Sequence, residues 1–244
     1  MYKADQGINR QNFLRLCFRG TVFLVVLFLY FTRKEVLASL VMEDFFREPG
    51  WKHVIWAIFI VGMIQHLLPL SRITMGLRKS RPDAYVEPDE PYTTEELYTY
   101  VQDMNVKAWK VMLLWLCLNA AIAALYLMGV IGEAEMVLVT FFYYLSDIIC
   151  IMFFCPFQSW IMKNRCCVNC RIFDWGHFMI FTPMLFVKSF FSWSLFFTAC
   201  VVLIRWEITY ANHPERFWHG SNDSIRCRNC IERSCRNKRS ATGA

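Results

Sequence analysis

Six of the 11 cysteines stand in two short runs. Cys166, Cys167 and Cys170 form CCVNC, and Cys227, Cys230 and Cys235 form CRNCIERSC. Two residues between thiolates let both sulfurs turn toward one ion, as a tetrahedral zinc site or an iron–sulfur cluster requires. Arg165 and Arg171 beside the first run, and Arg226 and Arg228 beside the second, favour the thiolate form. His177, in Asp174-Trp175-Gly176-His177, offers a further donor to the first run. Zinc fits this pattern better than iron–sulfur, because ferredoxin runs hold more cysteines at tighter, regular spacing. The runs lie too far apart for a compact zinc ribbon, so a shared site requires both on one side of the apolar segment between them. A disulfide, dithiol exchange and plain packing are the competing readings. The other five, Cys17, Cys117, Cys150, Cys155 and Cys200, sit in apolar surroundings and read as small hydrophobes.

Ionisable and amide groups in apolar surroundings form the second set. Asp147 lies in FFYYLSDIICIMFF, Lys188 in MLFVKSFFSW and Asn119 in LCLNAAIAALY. A charge at membrane depth is costly and usually finds a partner or lines a pathway. Helices joined by the loop 163–177 would run antiparallel, which brings an Asp147–Lys188 pair within reach. The alternative has Lys188 snorkelling to the interface and Asp147 hydrogen-bonded to Ser146, Tyr143 or Asn119. Gln65, His66 and Pro69 cluster at the end of one apolar segment, and the alanines around Asn119 read as close helix packing. A transport pathway ordinarily adds several intramembrane acids, broken helices or a repeated half, and no repeat is visible. No G-x-S-x-G, H-E-x-x-H, Walker A or G-x-G-x-x-G pattern occurs, so the sequence names no reaction.

The elements that must position these groups are apolar and long. The 244-residue chain is 56% hydrophobic and 19% charged, against about 45–50% and a quarter in ordinary soluble domains. That excludes a disordered chain and argues against a soluble enzyme. Five segments approach the run of about 20 apolar residues that a bilayer demands: Phe13–Phe31, Trp51–Leu70, Ala108–Ile131, Glu135–Met162 and Phe178–Trp206. No small-x-small cleavage pattern follows the first, so it reads as an uncleaved helix whose Arg15 and Arg19 snorkel. Val36–Phe46 adds a short amphipathic piece. Thr93 with Glu96 forms a capping box that opens an amphipathic surface helix leading into the third segment. The expected fold is an all-α polytopic membrane protein of about five transmembrane helices plus one interfacial amphipathic helix. It divides into residues 1–70, a hydrophilic loop 71–107, a helical part 108–206 with the Cys-bearing loop 163–177, and a basic tail 207–244.

Lys and Arg in short loops set orientation. They place the N-terminus in the cytoplasm, but with five straight spans the tail, with Arg216, Arg226, Arg228, Arg233 and Arg236, ends outside. A fifth segment that bends back to the cytoplasm removes the conflict. The expected partners are the bilayer, anionic lipid headgroups at the tail, and a membrane-protein partner or second copy; without aromatic residues after Trp218 the tail is no nucleic-acid binder. The leading expectation is a membrane accessory or binding protein with zinc at its thiolates. The alternative is a membrane thiol redox enzyme or a small transporter using Asp147 and Lys188.

Overall fold

The computed structural model describes residues 5–42, 45–47, 50–68, 76–164, 166–167 and 169–229. Among them lie seven α-helices: α1 (Asp5–Thr32), α2 (Lys34–Met42), α3 (Trp51–Leu67), α4 (Thr94–Leu127), α5 (Glu133–Met152), α6 (Gly176–Phe181) and α7 (Phe190–Asn212). The protein is an all-helical membrane protein. Within α1 the stretch Asn12–Thr32, and α4, α5 and α7 in full, are long and apolar enough to cross a bilayer, while α3 is a shorter apolar helix.

Helices α1 and α5 lie antiparallel. Arg19 meets Asp147 at 2.6 Å, the rings of Phe23 and Phe142 are 6.1 Å apart, and the Tyr30 hydroxyl donates to Glu135 at 3.0 Å. Helix α3 joins them through Phe59, whose ring touches those of Phe141, Tyr144 and Phe181. The capping box forms as the spacing predicts, with Thr93 accepting from the Glu96 amide and Glu96 from the Thr93 amide. No Gly or Pro follows within α4, so the amphipathic stretch and the third apolar segment fuse into one helix. Its Met104, Ala108, Val111, Trp115 and Asn119 are buried at helical spacing, while Trp109, Leu113 and Leu116 face outward.

The fifth apolar segment is not one straight helix. From Gly176 it descends as α6, tightens into a 3-10 turn at Thr182–Phe186, reverses at 187–189, and returns as α7. Arg171 with Trp206, Phe178 with Phe196, and Leu185 with Trp193 are cross-contacts between residues nearly equidistant from Lys188, the signature of a hairpin. Pro183 cannot continue an α-helical ladder, and Ser189 caps the return by accepting from the Ser192 amide at 3.1 Å. At the tip, Phe190 packs on Phe45 and Phe46, so the hairpin reaches the end of the bundle where α2 lies.

The path of the hairpin bears on where residues 207–229 lie. The start of the segment and its exit share one end of the molecule. There Arg171 pairs with Glu207 at 2.6 Å and bonds Asn105 of α4, Trp175 also donates to Glu207, and the guanidinium lies over Tyr210. The Asp223 amide donates to the Val86 carbonyl, and Trp218 stacks on Tyr100. This polar end thus gathers the start of α4, the Cys-bearing loop and residues 213–229. The opposite end holds the reversal at Lys188, the turn 128–132, and Glu135 between Lys34 and Tyr30.

Candidate functional site

A cavity of about 400 Å³ lies between α1, α3, α5 and the start of α6. Arg15 and Arg19 of α1, Gln65 and His66 of α3, Asp147 of α5, and Asp174 and His177 of the hairpin's descending limb line it. Each element arrives there for a local reason. The antiparallel α1–α5 contact sets Arg19 against Asp147. The end of α3 delivers His66, and Gly176 lets α6 press against α5. A Cβ on Gly176 would lie 2.8 Å from Asp147 Oδ1, too close for any side chain without displacing that carboxylate.

Two ionic groups share the cavity. In the first, Arg19 Nη1 donates to Asp147 Oδ2 at 2.6 Å and to the Tyr144 carbonyl at 2.9 Å, and the guanidinium lies 4.2 Å from the centre of the Tyr144 ring. In the second, His66 Nδ1 is 2.7 Å from Asp174 Oδ1, and His66 Nε2 is 3.4 Å from His177 Nε2. With the Asp174 carboxylate accepting, His66 holds its proton on Nδ1 and turns the Nε2 lone pair toward the N–H of His177. The Nδ1 of His177 is buried and meets no partner. The arrangement is a three-member chain along which a proton can move between a carboxylate and two imidazoles.

Phe59 and Tyr144 of the cavity wall belong to an aromatic cluster. Phe59, Phe141, Tyr144 and Phe181 pack ring to ring, with Phe23 on Phe142 beside them. Beyond this aromatic layer come Glu135, Lys34 and Tyr30.

Several expectations are corrected. Asp147 is an intramembrane acid with a partner, but the partner is Arg19. Lys188 lies exposed at the reversal of the hairpin, at the other end of the bundle. Arg19 does not snorkel to headgroups, because the acid across from it on α5 holds it inward. Asn119 is buried and donates to the Trp115 carbonyl at 2.9 Å, a packing role. His177 turns to His66 rather than to the cysteines. Sequence reasoning named His66 in a polar cluster, Asp174 only as a neighbour of His177 and Arg19 as a snorkelling residue, and joined none of them to Asp147.

The first cysteine run finds different neighbours from those its spacing suggests. Cys167 and Cys170 line a second cavity of about 410 Å³ with Cys150 and Cys155. The Cys167 thiol donates to Gln158 Oε1 at 2.6 Å, and the Cys170 carbonyl accepts from buried Lys79 at 3.0 Å. Cys166 is half-buried in the loop and Cys227 exposed at the polar end, whereas Cys230 and Cys235 lie outside the described residues. Among the described residues no group of three or more His, Cys, Asp and Glu side chains is placed to hold a metal ion.

No family model, curated protein or solved structure matches the chain. The site therefore stands on its own geometry.

Proposed function

We propose that the protein is a small proton-linked membrane carrier, whose cavity takes a polar solute at the polar end and whose His66–Asp174–His177 chain carries the coupled proton. One observation bears most of the weight: the Arg19–Asp147 pair and this chain line a single cavity, whose wall at Phe59 and Tyr144 is part of an aromatic cluster. Carriers work by exposing one site alternately to the two sides, and broken helices beside the site are a common part of that machinery. The α6–α7 hairpin, broken at Thr182–Phe186, supplies such an element.

The polar end, and with it the N-terminus, faces the cytoplasm in this reading. Arg15, Arg78, Arg81, Lys107, Lys163, Arg205, Arg216 and Arg226 gather there, whereas the turn 128–132 has no Lys or Arg. Anionic lipid headgroups are the natural neighbours of those cations.

The test is proton entry into vesicles that hold the full-length protein and a pH dye, driven by an imposed pH gradient with polar solutes supplied outside. The expected result is flux above that of protein-free vesicles, lowered about tenfold or more by His66→Gln or Asp147→Asn, as loss of a charged hydrogen bond at a working group would do. Flux equal to that of protein-free vesicles overturns the reading.

A further inference from the structure

Arg19 is held on three sides. Its Nη1 is spent on Asp147 Oδ2 and the Tyr144 carbonyl, and its face rests on the Tyr144 ring. Among the described residues, its Nε and Nη2 hydrogens make no hydrogen bond. Those two donors form one edge of the planar guanidinium, the edge that matches the two oxygens of a carboxylate. An arginine that lines a cavity, fixed by an acid, a carbonyl and an aromatic ring and with a two-donor edge not used in those contacts, is preorganised for an oxyanion.

The charges around it agree. The cations facing the cavity or its rim are Arg15 and Arg19 from α1 and Arg205 from α7, whose guanidinium bonds the carbonyls of His66 and Leu67. The anions are Asp147 from α5 and Asp174 from the descending limb, while Tyr144 contributes a ring and a carbonyl. The two lining cations match the two lining anions, and a proton on His66 leaves one positive charge over. A monoanion entering with that proton offsets this charge, and so lowers the cost of carrying the loaded site through an apolar environment. Phe18, Ile58 and Ile151 supply apolar wall opposite these groups.

We infer that the substrate is a small organic carboxylate, bound by the Nε–Nη2 edge of Arg19 and carried together with a proton. The inference rests on the carrier reading above and deepens it. Vesicles containing the full-length protein, with an inward proton gradient, are given radiolabelled L-lactate, succinate or inorganic phosphate in separate arms. Lactate or succinate should accumulate above protein-free vesicles. Arg19→Lys keeps the charge but not the fork, and should lower that uptake about tenfold or more while the purified variant retains its helical content and thermal midpoint. Uptake of phosphate alone overturns the carboxylate assignment. Proton flux without uptake of any of the three overturns it as well and leaves the carrier reading standing. Absence of proton flux sinks the carrier reading itself. Carboxylate uptake unchanged in Arg19→Lys would show that this arginine is not the binding group.

Discussion

Arg19 and Asp147 are joined across the bundle by a single ion pair whose side chains remain 18% and 26% exposed. Full burial would make loss of one partner cost about 3–5 kcal/mol; at this exposure about 1–3 kcal/mol is the expected range. Thermal unfolding of Arg19→Gln, Asp147→Asn and the double variant should give a coupling of that size, with the double variant less destabilised than the two single losses added together. Strict additivity would mean that the pair contributes nothing. The sequence made Asp147 stand out because a lone acid in an apolar run is conspicuous. It could not give the partner, since Arg19 lies 128 positions away and the neighbour suggested by a short loop was Lys188.

At the scale of elements, the break in the descending limb is held by one hydroxyl. Thr182 donates to the Phe178 carbonyl at 2.7 Å and accepts from the Trp115 indole of α4 at 3.1 Å. Thr182→Val preserves shape but leaves that buried N–H without an acceptor, at a cost of about 1–3 kcal/mol. Chemical denaturation should show this loss, while Thr182→Ser, which keeps the hydroxyl, should be the milder change; the opposite ranking would mean that packing of the methyl group matters more than the bond. The capping box at Thr93 and the helical stripe of α4 were legible because they are local patterns. The hairpin was legible only as a conflict between charge and crossing number. Its descending limb mixes 3-10 and α turns and is fixed by contacts with α5 and α7, which no periodicity records. The aromatic layer is hidden for the same reason, since Phe59, Phe141 and Phe181 come from three separate segments.

For the whole molecule, the path of the chain predicts which residues share a compartment. Cys166, Cys227 and a cysteine placed at Asp89 should react with an impermeant maleimide from one side of the membrane, and Lys188→Cys and Met128→Cys from the other. Labelling Lys188→Cys from the same side as Cys227 would contradict the hairpin. Composition and contiguity were enough to read an all-helical membrane protein; the site emerged only when four elements met. The reversal at 187–189 also has a consequence for biogenesis. Because both limbs of the hairpin begin and end at the polar end, the segment can enter the bilayer as a preformed pair from the side where it is synthesised. Arg205, Arg216, Arg226 and Arg228 then never have to be translocated. The one cation that must be pushed through is Lys188 at the tip, and a substitution there should change the rate of insertion rather than the stability of the finished protein.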